Sequence, residues 1–183
     1  MNFETNEAFY DRIADSYDAI AHSSERESTE RGLTVLNPSP GDRVLEVGYG
    51  TGHALVALAD QVGSAGKVSG VDISEGMRGV ASRKVQEAGL LDRVALSVGT
   101  VPPLAYEDDS FDVAFFSFTL ELFPPDVIEE VVAETARVLR PGGTCGVVAM
   151  ARPRSESENT GLEKVYVWMH RHFPHIVDCH PIE

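Results

Sequence analysis

Gly48, Gly50 and Gly52 stand at alternate positions directly after Val44-Leu45-Glu46-Val47, and Ala54, Leu55, Val56, Leu58 and Ala59 follow at once. The first group reads as a buried parallel strand and the last as a helix, so the glycines form the tight turn between them. Lacking a Cβ, glycine takes positive φ and lets a ligand approach the main chain, and the first turn of a helix presents unpaired N–H groups. The chemistry that fits such a turn is recognition of a nucleotide-like ligand. Spacing then narrows the choice, because a dinucleotide turn of the Gly-x-Gly-x-x-Gly kind asks for glycine where this chain has His53. Asp72 stands 20 residues after Gly52 (72 minus 52), at the end of an apolar stretch, where an acidic side chain can accept both ribose hydroxyls of an adenosine.

The elements that must position these groups follow from periodicity and breakers. Phe9, Ile13, Tyr17 and Ile20 recur at helical spacing, so a helix is expected over residues 6–21. A polar segment from His22 to Arg31 leads into a second helix through Gly32 to Leu36, stopped by Asn37-Pro38-Ser39-Pro40-Gly41. Strands are expected at Lys67 to Asp72, Arg93 to Val98, Ser110 to Ser117 and Thr144 to Met150. Between them, Ser74 reads as the N-cap of a helix closed by Gly89, and Pro124-Pro125 opens a helix over about Asp126 to Leu139. Strands alternating with helices in one direction imply an α/β fold, a doubly wound and mostly parallel Rossmann-like sheet with helices on both faces.

Composition limits the functions. A length of 183 residues suits a single domain, divided into N-terminal helices (1–40), an α/β core that carries the glycine turn (41–151) and a C-terminal helical segment (152–183). The excess of 29 acidic over 15 basic residues opposes binding of nucleic acid, which rests on Lys and Arg neutralising phosphates, and docking on anionic lipid. No apolar run reaches the length of a membrane span, and Met1-Asn2-Phe3-Glu4-Thr5 lacks the basic-then-apolar order of a secretion signal, so a cytoplasmic protein is expected. Cys145 and Cys179 suggest no disulfide framework, and Cys145, inside an apolar strand, reads as a small core residue. His170, His172, His175 and His180 fit no common zinc pattern, so no metal site is expected.

Glu46, two residues ahead of the glycine turn, completes a pattern that resembles the first motif of the class I S-adenosylmethionine-dependent methyltransferases. The text from Phe9 to Asp18 resembles the N-terminal lid of the ubiquinone and menaquinone biosynthesis methyltransferases, and Arg140-Pro141-Gly142-Gly143 resembles a later motif of that group. The resemblance covers residues 8–151 and implies S-adenosylmethionine as cofactor and methyl transfer to a small-molecule or lipid-like acceptor. It implies cofactor contacts from Tyr10 and Tyr17 in the lid, from Glu46, Gly48, Tyr49, Gly50 and Gly52 in the first motif, and from Asp72, Ile73 and Met77 after the second strand. It further implies contacts from Val101 and Ser117, and from Thr100, which stands where relatives carry an aspartate that takes the adenine amino group. Glu121, just past the fourth strand, is the candidate proton acceptor.

In the family a further helix and two more strands normally follow the place of Pro181-Ile182-Glu183, so strands six and seven are expected to be missing. Strand five would then be an edge, open to a homodimer through that edge. Two other readings stand beside methyl transfer: a non-catalytic binding or scaffold protein made from a shortened methyltransferase, and a nicotinamide-dependent oxidoreductase, which would want the other glycine spacing.

Overall fold

The computed structural model describes residues 3–20 and 23–150. The C-terminal helical segment expected over residues 152–183, the histidine group and any later strand lie outside the described residues.

Two helices, α1 (Phe3–Ile20) and α2 (Ser23–Leu36), precede a sheet whose strands are β1 (Arg43–Val47), β2 (Lys67–Asp72), β3 (Val94–Val98), β4 (Phe111–Ser117) and β5 (Leu139–Val148). Connecting them are α3 (His53–Val62), α4 (Glu75–Glu87), a 3-10 turn at Leu120–Leu122 and α5 (Pro125–Val138). The strand order is β3-β2-β1-β4-β5 and every pairing is parallel. Parallel neighbours need a crossover, and the chain supplies one between each sequential pair that lies side by side.

Alternation along the strands divides the core. Val44 of β1 and Val113 and Phe115 of β4 join Leu33, Leu55, Leu58 and Val85 on the face covered by α2, α3 and α4. Leu45 and Val47, one residue out of phase, join Phe116, Val131 and Val138 on the face covered by α5. Side chains two residues apart share a face, so Glu46 points to the side of Val44. Both faces being covered explains why β1, after the exposed Arg43 at its start, is apolar apart from that glutamate.

Ser74 caps α4 as expected, its hydroxyl accepting from the Met77 N–H at 3.0 Å. β5 starts earlier than its expected Thr144. Arg140-Pro141-Gly142-Gly143 reads as a turn, yet Leu139 already pairs with Phe111, and the register shifts between Phe111 and Val113 where Gly142 takes a φ of +83°. Cys145 is exposed rather than a core residue. It pairs with Ala114 on the α5 side, where Val147, two residues on, is 47% exposed as well. On the opposite face α2 covers β5, with Leu36 against Gly146 and the Thr29 hydroxyl sharing a 2.7 Å hydrogen bond with that of Ser117. Among the described residues β5 is the outermost strand on its side, the edge through which the sequence raises a homodimer.

Candidate functional site

β1 has β2 on one side and β4 on the other, so the winding of the chain reverses at its C-terminal end and opens a crevice there. A cavity of about 300 Å³ fills that crevice and is roofed by α1 and α2. Its size lies at the small end of ligand sites.

The glycine turn is built as its spacing implies, with φ of +73° at Gly48, +49° at Gly50 and +82° at Gly52. The three differ in what a side chain would meet. At Gly48 a Cβ would overlap the side chain of Thr119, whose hydroxyl is itself anchored on the carbonyls of Gly48 (3.3 Å) and Ser117 (3.0 Å). At Gly50 no atom lies within 4 Å of a Cβ, so the main chain there borders open space, and its N–H donates to Asp72 Oδ2 at 2.8 Å. At Gly52 a Cβ would come to 2.9 Å from that of Ala81.

Asp72 is fixed from both sides, because its Oδ1 accepts from the Ser74 N–H at 3.0 Å while Oδ2 holds Gly50. Each oxygen keeps capacity for a further donor. Burial pushes its pKa up, against the lowering effect of the bonds from Ser74 and Gly50. Glu46 is only 2% exposed and its Oε2 has no hydrogen-bond partner. Burial, and secondarily the charge of Asp72, raises its pKa well above the ordinary value. A carboxylate oxygen left without a donor on a cavity wall is costly unless a ligand supplies one.

Of the sequence-predicted cofactor residues, Tyr10, Tyr17, Glu46, Gly48, Tyr49, Gly50, Asp72, Ile73, Met77, Thr100, Val101 and Ser117 all border this cavity. The rings of Tyr10 and Tyr17 stand 6.3 Å apart. Tyr49 reaches the cavity only in part, since its ring slides under Gly70 and its hydroxyl donates to the Ser97 carbonyl at 3.2 Å. Two residues lie off the wall. Gly52 serves the close approach of α3 to α4, and Glu121 is fully buried in the 3-10 turn, where its Oε1 accepts from the Met150 N–H at 3.0 Å. Burial raises the pKa of Glu121, and its Oε2 lacks a partner.

The sequence reading missed Glu25, Arg26 and Thr29 of α2 and His53 of α3, all on the wall. His53 stands 3.6 Å from Glu30. The segment that carries the α2 residues is uniformly polar, and only the packing of α2 on β5 shows which of its faces meets the cavity.

Residues 44–143 match the family described as methyltransferase domain. The chain belongs to the class I S-adenosylmethionine-dependent methyltransferases. It is 36% identical over 149 residues to the nocamycin O-methyltransferase of Saccharothrix syringae, a match covering 81% of this chain and 52% of that one. It is 32% identical over 165 residues to the demethylmenaquinone methyltransferase of Bacillus cytotoxicus, covering 86% and 65%. The chain thus spans between about half and two thirds of these relatives. Among solved structures, the [4+2]-cyclase SpnF is similar with a TM-score of 0.64 and 28% identity over 73% of this chain and 47% of that one.

The residues present fit the cofactor of this family. Asp72 offers two backbone-anchored oxygens for a ribose, Gly50 leaves room beside the turn, and the donorless Glu46 Oε2 suits an ammonium or N–H group. Met77, Ile73 and Val101 supply the apolar surround an adenine needs.

Proposed function

We propose that this chain binds S-adenosylmethionine in the cavity at the C-terminal ends of β1, β2 and β4 and transfers its methyl group to a small-molecule or lipid-like acceptor. The observation that carries the reading is the joining of Gly50 and Asp72 by one hydrogen bond on the wall of a cavity that also holds the unpaired Glu46 oxygen. The cofactor supplies a methyl group already activated on a sulfonium sulfur. The protein's part is to hold and align, which needs few groups that exchange protons. Ile73, Met77, Thr100 and Val101 would surround the adenosine, and Tyr10, Tyr17 and Glu46 the methionine end.

For the acceptor, Ser117, Phe118, Leu122 and Phe123 form a mostly apolar wall beside α2. That surface suits a largely apolar small molecule, in keeping with the names of the nocamycin and demethylmenaquinone relatives. Among the described residues no helix is long and apolar enough to cross a membrane. We assign no proton transfer to Glu121, whose carboxylate is engaged with Met150 and is not on the wall. Likeness to a cyclase shows why the fold alone does not fix the reaction.

Thermal denaturation with added ligand tests the cofactor. S-adenosylmethionine and S-adenosylhomocysteine should each raise the melting temperature, by about 2.7 kcal/mol of added stability at a concentration 100 times Kd. A rise with a nicotinamide dinucleotide, and none with either sulfur compound, would overturn the reading.

A further inference from the structure

α1 is tied to α4 by two carboxylates of unequal weight. Asp15 meets Arg83 at 2.7 Å, but those side chains are 86% and 60% exposed, and an exposed pair of this kind contributes little. Asp11 is held differently. Its Oδ1 accepts from the Ser74 hydroxyl at 2.5 Å and from the Gly76 N–H at 2.8 Å. One side chain of α1 therefore sits on the first turn of α4, where unpaired N–H groups and the positive end of the helix dipole favour an anion. Those two bonds hold its carboxyl below the usual carboxylate range.

The helices also touch closely at this point. A Cβ on Gly76 would stand 2.9 Å from the Asp11 Cα and 3.2 Å from the Ala14 Cβ, and Ala14 is only 5% exposed. Ser74 joins this contact to the cofactor cavity, since its N–H donates to Asp72 Oδ1 and Asp72 Oδ2 in turn holds the Gly50 N–H. A continuous path thus runs from the lid helix through Ser74 to the carboxylate proposed for the ribose. Tyr10, next to Asp11 in the chain, and Tyr17 on the same helix border the cavity.

The geometry points to Asp11 as a positioning residue: it latches α1 over the cavity through Ser74, the residue that also orients Asp72, and so sets the rate at which the cofactor enters and leaves. The inference rests on the proposed S-adenosylmethionine site. A helix that merely added bulk to the fold would depend on Ala14 and the Gly76 contact. A latch depends on the oxygen that Asp11 presents to two donors.

The 183-residue parent chain, Asp11→Ala, Asp11→Asn and Arg83→Ala are compared by two measurements. One is the dissociation rate of S-adenosylhomocysteine, followed by tyrosine fluorescence after dilution. The other is hydrogen exchange of α1 amides without ligand. Asp11→Ala should raise the dissociation rate about tenfold, as loss of hydrogen bonds to a charged group implies. It should also speed exchange in α1 while leaving β1 and β4 protected. Asp11→Asn keeps an acceptor oxygen and should change the rate by roughly threefold, and Arg83→Ala by less than about twofold.

An unchanged dissociation rate in Asp11→Ala, or unchanged α1 exchange, overturns the latch. So does an effect of Arg83→Ala as large as that of Asp11→Ala. If Asp11→Ala does not fold, Asp11→Asn decides, and a rate equal to the parent's overturns the inference. Should the parent itself fail to bind S-adenosylhomocysteine, the cofactor reading fails, while the exchange measurement on the free protein still decides whether Asp11 holds α1 down.

Discussion

Glu46 and Glu134 carry the same side chain in two regions that treat a carboxylate oppositely. Glu46 lies on the cavity wall, buried, with one oxygen lacking a donor and a pKa raised by desolvation. Glu134, on α5, is clasped by Arg137 at 2.9 Å through both carboxylate oxygens and accepts from the Leu104 N–H at 2.9 Å. The bond from Arg137 holds its pKa down to about 2. Arg137 continues the clasp to the carbonyls of Leu104 (3.0 Å) and Tyr106 (2.9 Å) and to Asp108 (2.7 Å), fixing the loop between β3 and β4. At the α5 clasp both oxygens of Glu134 are met by donors of the fold. At the cavity, capacity is left over, and leftover capacity in a buried place is what a ligand can complete.

Three substitutions sharpen that contrast. The largest effect is expected at Asp72, which is both partly buried and charged. Asp72→Ala should weaken S-adenosylmethionine binding by about 1.5 to 3 kcal/mol while the protein still folds, as isothermal calorimetry beside a melting curve would show. Unaltered affinity in a folded variant would remove Asp72 from the proposed ribose site.

Next comes Glu46→Gln, which should stabilise the free protein and weaken cofactor binding together. Burial lifts the folded-state pKa of Glu46 above its ordinary 4.5, so the group carries no charge penalty below that value and acquires one as pH rises through the raised pKa. The variant should melt with the parent in acid and above it towards neutral pH. The gap should reach the few degrees that an unpaired buried group of about 1 to 3 kcal/mol represents in a chain of this size. A variant that melts below the parent at neutral pH would show that the Glu46 charge is already compensated.

The smallest effect belongs to the clasp. With its folded pKa lowered, Glu134 contributes stability that is present above 4.5 and lost as pH falls towards about 2. Glu134→Gln should accordingly flatten the acid limb of a melting-temperature profile between those values, with cofactor affinity untouched. A change in cofactor affinity would show that the two regions are not independent.

How much of this was legible in the sequence depended on how local the determinant is. The glycine turn and Asp72 were readable because strand, turn and helix follow one another within a few residues and the βαβ unit fixes the distance to the next strand end. The β5 start was not, since Pro141-Gly142-Gly143 carries turn chemistry and only pairing with β4 shows that the strand runs through it. Gly52 carries the same text as its two neighbours in the motif, and its different use depends on Ala81 of another helix. Exposure of Cys145 goes with the outermost place of β5 in the described sheet, which a single apolar run cannot reveal. The donors to Asp11 lie 63 and 65 residues away, a relation that periodicity cannot express.

The ring of Tyr49 beneath Gly70 binds two positions that are 21 residues apart (70 minus 49) into one unit of variation. A Cβ at residue 70 would stand 2.6 Å from the Tyr49 ring and 3.1 Å from the Leu55 side chain, so an aromatic at 49 commits 70 to glycine. A smaller residue at 49 releases that commitment but opens a void between β2 and α3. When this chain is redesigned or set beside its kin, the second residue of the glycine turn is therefore to be changed, or compared, together with the middle of β2.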